Sequence, residues 1–93
     1  MSKEYVKHEE LLEVLDDVGT IHKLILFNDD VNSFDHVIEC LVRICDHNEI
    51  QAEQSALIVH YKGKATVKSG DRGELAAMCQ ALCEEGLSAV IGE

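Results

Sequence analysis

The sequence predicts an α+β domain in which a small three-stranded antiparallel sheet packs against three helices in the order β-α-α-β-α-β. Three observations lead there. Three segments carry the apolar stripe at i, i+3, i+4 that gives a helix one core-facing side. Three shorter apolar segments end at Gly, Asn, Asp or Ser, as strands do. Their order lacks regular βαβ alternation, which points to a small sheet covered by helices on one face.

The first strand is Ile21–Phe27, with Ile21, Lys23, Ile25 and Phe27 on one face, ended by the Asn28-Asp29-Asp30 turn. Asn32 or Ser33 caps a helix running to about Asp46, because a short side-chain oxygen accepts from the free amides of the first turn. Asp35 complements the positive end of that helix. Its stripe is Phe34, Val37, Ile38, Leu41, Val42 and Cys45, and His47-Asn48 closes it. A second helix spans Gln51–Tyr61, with Ala52, Ala56, Leu57, Val59 and His60 near its inner side and Gly63 as C-cap. Lys64–Lys68 is a strand that sends Ala65 and Val67 one way and Lys64, Thr66 and Lys68 the other. After a loop at residues 69–73, a third helix from Glu74 to Glu85 carries Leu75, Met78, Cys79, Leu82 and Cys83, and Gly86 stops it. Leu87–Ile91 is the last strand.

Composition bounds the function. Ninety-three residues with 46% apolar content and no proline suit one globular domain with its own core. Residues 1–19 hold four Glu and two Asp around a short apolar rhythm, read as an acidic mobile N-terminal arm ahead of a domain at 20–93. The formal charge of −10 argues against nucleic acid, which needs clustered Lys and Arg, and against anionic membranes. No apolar run is long enough for a spanning helix, and the N-terminus lacks the basic-then-apolar order of a signal peptide, so a cytoplasmic protein is expected. In that setting Cys40, Cys45, Cys79 and Cys83 are expected as reduced thiols.

The chemistry concentrates at two places. Asn28, Asp29 and Asp30 place amide and carboxylate oxygens within three residues at a strand-to-helix turn, and His60 adds an acceptor when neutral. Such a set suits a cation with several donors, and a protein's free α-ammonium is one. Phe34, Val37, Ala56 and Val59, with Leu87, supply apolar wall beside it, and a polar clamp next to an apolar pocket is a common recipe for small-ligand recognition.

Other readings compete. Asn32-Ser33-Phe34 loosely echoes the Asp-Ser-Leu of an acyl carrier, with phosphopantetheine on Ser33, although such carriers are helical bundles and Ser33 reads far better as a cap. His36 and Cys40, and Cys79 and Cys83, lie at i, i+4 and could meet as four zinc ligands, but small Cys on apolar stripes usually packs in a core. No nucleophile constellation or Gly-rich phosphate loop is present, so no enzyme activity and no cofactor or metal is expected. A generic protein-binding domain is the plainest alternative.

The segments Leu26-Phe27-Asn28-Asp29-Asp30 and Val59-His60-Tyr61-Lys62-Gly63-Lys64-Ala65, at this separation, resemble the ClpS family. The resemblance covers about residues 20–91. It implies three strands and three helices in the order above, and an adaptor that binds N-end-rule substrates (N-degrons beginning with a bulky apolar residue) and delivers them to a Clp AAA+ unfoldase and its protease. It implies no catalysis, and a monomer is expected. Carried over by position, Asn28, Asp29, Asp30 and His60 would bind the α-amine, and Asn32, Phe34, Val37, Ala56, Val59 and Leu87 would line the side-chain pocket. Asn32 stands at a usual Thr, Phe34 at a usual Met, and Ala56 at a Met that gates the pocket. The third-helix stretch that touches the unfoldase, Ala-Glu-Thr-Lys in the family, is here Leu75–Cys79 or its neighbours.

Overall fold

The computed structural model describes residues 21–92, so the acidic arm lies outside the described residues. Six elements follow in the expected order: β1 His22–Phe27, α1 Phe34–Cys45, α2 Glu49–Lys62, β2 Lys64–Gly70, α3 Arg72–Glu84 and β3 Ser88–Gly92. The sheet is antiparallel throughout with β1 central, in the order β2-β1-β3.

Side-chain alternation decides which face of the sheet the helices cover. On β1 the buried set is His22, Leu24 and Leu26, while Lys23 is exposed and Ile25 and Phe27 are half-buried on the other face. Leu24 and Leu26 meet Val67 of β2 and Ala89 of β3, and Cys40, Leu41, Cys45, Ala52, Val59, Leu75 and Leu82 close over them from the three helices. Burial of these apolar side chains is the main drive to fold.

Two helix starts depart from the sequence expectation, and the remaining helix ends agree with it. Of the two expected caps, Ser33 serves α1, its Oγ accepting from the His36 amide at 3.1 Å. Asp46 ends that helix at φ 62°, the left-handed region. Asn48, expected to close α1, instead opens α2, taking the Gln51 amide at 2.7 Å, so α2 begins two residues earlier than its apolar stripe suggests. Asp71 does the same for α3 through the Glu74 amide at 2.9 Å, which draws Arg72 and Gly73 out of the expected loop. Gly63 (φ 92°) and Gly86 (φ 88°) stop α2 and α3 where the sequence places the breaks.

One strand prediction is corrected. The β1–β2 register slips between Leu24 and Ile25, which pair with Lys68 and Thr66 and leave Val67 as the extra residue of a bulge. Lys68 is therefore turned to the helix side with Val67, not away from it, and its Nζ donates to the Cys45 carbonyl at 3.2 Å. A cation is thereby placed on the negative end of α1. His47, read only as a helix stop, is buried and bonds through Nε2 to the Val67 carbonyl, 2.6 Å away. Among the described residues no helix is long and apolar enough to cross a membrane.

Candidate functional site

Two segments far apart in sequence are joined by the backbone. Phe27 pairs with Lys64 and Leu26 with Ala65, and one residue on, the Asn28 amide donates to the Gly63 carbonyl at 2.9 Å. The turn after β1 is thus fastened to the C-terminal end of α2, which carries His60 and Tyr61. Between that end and the start of α1 lies an open cavity of about 580 Å³.

Its lining brings together nine of the ten residues expected from sequence: Asn28, Asp29, Asp30 and His60 on the polar side, with Asn32, Phe34, Val37, Ala56 and Val59. Two more line it that were not expected there, Leu57 and Tyr61. Their signal was helical spacing: one turn separates Leu57 from Tyr61 as it separates Ala56 from His60, so four side chains share one face of α2. Leu87 is placed differently. It is buried and lines a small separate void of about 20 Å³ that shares Asn28, Asp29, Asn32, Val37 and Val59 with the larger cavity. Leu87 therefore supports the wall from behind.

The lining differs in exposure. Ala56 and Val59 are both buried, whereas Phe34 is 38% and Tyr61 78% exposed. The cavity thus has a short, buried Ala56 side chain and two exposed aromatic rings among its lining. His60 is exposed and packs edge-on against Tyr61, with ring centroids 5.0 Å apart. It had been expected on the inner side of α2, but the buried stripe runs through Ala52, Ala56 and Val59, one position off.

The acidic turn is ordered by one of its own carboxylates. Asp29 Oδ1 accepts from the amides of Val31 and Asn32 at 2.9 and 2.8 Å, and Oδ2 accepts from Asn32 Nδ2 at 2.8 Å. The Asn32 backbone bond, then its side-chain bond, hold the Asp29 carboxyl below the usual carboxylate range. Asn32 Nδ2 also donates to the Gly86 carbonyl at 2.9 Å, tying the turn to the α3–β3 junction. One lone pair of Oδ2 is left for a ligand, and the exposed Asp30 carboxylate stands beside it. The site thus presents anionic oxygens at its mouth above an apolar wall.

The thiols are all free, and the four ligands that spacing alone allowed to meet are not brought together. Cys79 and Cys83 both reach the Ala89 carbonyl, at 3.4 and 3.6 Å, while His36 and Cys40 meet Glu85. The acyl-carrier reading also fails, since Ser33 caps α1 in a sheet-containing fold.

Comparison with known proteins adds the family. The model of ClpS, the ATP-dependent Clp protease adaptor protein, matches residues 19–90. The chain belongs to the ClpS family. It is 34% identical over 68 residues to the ClpS adapter of Thermosynechococcus vestitus, covering 72% of both chains. The adapters of Shewanella denitrificans and Campylobacter jejuni are each 44% identical, over 45 and 43 residues. Those two matches span 44% and 45% of the relatives' lengths, less than half. The structure of Agrobacterium tumefaciens ClpS2 bound to L-phenylalaninamide shares the fold, with a TM-score of 0.71 at 21% identity, covering 76% of this chain and 93% of that one. The family's name is that of an adaptor of the Clp protease.

Proposed function

We propose that this chain binds the free N-terminus of proteins that begin with a bulky apolar residue and delivers them to a Clp AAA+ unfoldase for degradation. The observation that carries the proposal is one cavity with Asn28, Asp29, Asp30 and His60 at its polar side and Phe34, Val37, Ala56, Leu57 and Val59 along its wall. An α-ammonium carries three donors and a positive charge, and burying it is costly unless each donor finds an acceptor. The polar side supplies those acceptors and two carboxylates of opposite charge. A cavity of this size is within the range that encloses a small ligand, with room for a large first side chain.

Family membership supports the adaptor role, and the bound molecule of the ClpS2 structure supports the ligand class, because phenylalaninamide offers a free amine beside an apolar side chain. Asn28, Asp29, Asp30 and His60 would hold the amine, Asn32 would keep Asp29 aimed, and the apolar residues would select the side chain. Fluorescence anisotropy with Leu-, Phe- and Trp-starting peptides, each paired with its N-acetylated form, tests the reading. Binding of the free peptides alone is expected, and equal binding of the acetylated ones would overturn it. Capture of an unfoldase by the full chain, with and without Asp30→Ala, tests delivery.

A further inference from the structure

The described helices pack on one face of the sheet, over Leu24 and Leu26. On the other face β1 presents Lys23, Ile25 and Phe27, and the register sets Val90 of β3 beside Ile25 and Lys64 of β2 beside Phe27. Val90 is 46% exposed, and Ile25 and Phe27 are half-buried. Ile25 lies across Gly92 of the neighbouring strand, where a Cβ would stand 2.9 Å from its Cδ1, so the apolar strip runs without a break from β1 onto β3. We propose that residues 9–18, wound as an amphipathic helix, fold back from the start of β1 and cover this face.

Position and pattern both fit this occupant. Residues 1–20 enter the sheet at its central strand, so no long linker separates them from the uncovered face. Gly19 supplies the backbone freedom that a reversal there needs. Leu11, Val14, Leu15 and Val18 follow the i, i+3, i+4, i+7 stripe of a helix. Glu9, Glu10, Glu13, Asp16 and Asp17 fall around its other side. A helix this short is marginal alone and is stabilised in proteins by packing its apolar face. The strip of Phe27, Ile25 and Val90 offers that face a partner.

Charge selects the same segment. The chain holds 18 acidic and 8 basic residues, yet this sheet face carries Lys23 and Lys64 and, among the described residues, no carboxylate. The two lysines stand at opposite ends of it, because Lys64 pairs with Phe27, which lies about 13 Å along β1 from Lys23. Asp17 and Glu10 lie on one flank of the stripe and about 10 Å apart along a helix. A helix running back along β1 brings Asp17 to Lys23 and Glu10 to Lys64. Exposed pairs of this kind contribute little by themselves, so they set the direction of the arm while burial of its apolar stripe holds it.

The test uses the full chain. Carbodiimide coupling joins a carboxylate to an amine only where the two touch, and peptide mapping of the monomer band identifies the pair. A link from Glu9 or Glu10 to Lys64 within one chain is expected, and Lys64 is the informative lysine because Lys23 is close to the arm in sequence. Hydrogen exchange of the amides of residues 11–18 is expected to be slowed in the wild type. Val90→Glu, which sets a carboxylate on the face, should lose both the Lys64 link and the protection, and so should Leu15→Ser combined with Val18→Ser. Circular dichroism checks that Val90→Glu folds, and the arm variant, which changes no residue of the described domain, carries the test if it does not. Unprotected arm amides in the wild type, Lys64 links found only between chains, as a second copy on this face would give, or protection that survives both variants would overturn the proposal.

Discussion

The Asn28 amide donates to the Gly63 carbonyl at 2.9 Å, and this one backbone bond joins the acidic turn to the end of the helix that carries His60. Gly63 can hold that position because it sits at φ 92°, where a side chain is strained. A Cβ there would meet nothing within 4 Å, so the cost of adding one is conformational and not steric. Gly63→Ala is expected to destabilise the fold by about 1–2 kcal/mol. A lowered midpoint of urea unfolding checks it, and peptide affinity should fall with it as the turn loosens.

Asp29 makes stability depend on acid. Its carboxyl is held below its usual 3.8 by the Asn32 backbone and side-chain bonds, so the unfolded chain takes up a proton before the folded one does. The contribution is complete above the unfolded value and is lost as pH falls through the lower folded value. Asp29→Asn sets an amide nitrogen or oxygen where both carboxylate oxygens now accept. The difference in unfolding free energy between wild type and Asp29→Asn is expected to be flat from about pH 5 to 8 and to close below about pH 4. A gap that persists unchanged to pH 2 would contradict it.

What could be read from the chain follows from how local each signal is. Gly63 and Gly86 marked their helix ends because only a residue without Cβ takes a positive φ cheaply. Asn48 was read as the end of one helix because it starts the next, and a cap between two close helices serves either reading until the backbone is seen. The bulge at Val67 left no trace in the period-two pattern, so the direction of Lys68 was missed. That Asn28–Asp30, Phe34, Val37, Ala56, Val59 and His60 share one cavity could be expected because they fall in three short local groups. The approach of Glu85 to His36 could not, since it comes from nearly fifty residues on, and no spacing within one helix reports that.

Cys45 should be the slowest thiol to react. Burial pushes it from 9.0 up to about 11, whereas Cys83 is exposed. Alkylation at about pH 8, followed by peptide mapping, should label Cys83 first and Cys45 last. The same shift carries a stability consequence of opposite sign to that of Asp29. A thiol harder to ionise in the folded chain favours folding below pH 9.0, and that advantage is lost as pH rises toward about 11. Over that range the stability advantage of wild type over Cys45→Ala is expected to shrink.

Ala56 leaves room in the cavity. It is short and buried in the lining, with Val59 one turn on, so any longer side chain at 56 takes up space a ligand would use. Ala56→Met fills that space with a flexible chain and adds nothing to the acceptors at Asn28, Asp29, Asp30 and His60. Discrimination by added bulk in an apolar pocket is worth about tenfold or more for each misfit group. Ala56→Met is therefore expected to weaken Trp- and Phe-starting peptides by about tenfold relative to Leu-starting ones, while acetylated controls stay unbound. Uniform weakening of all three would instead place the effect on the amine side, through a shift of α2 and His60 with it.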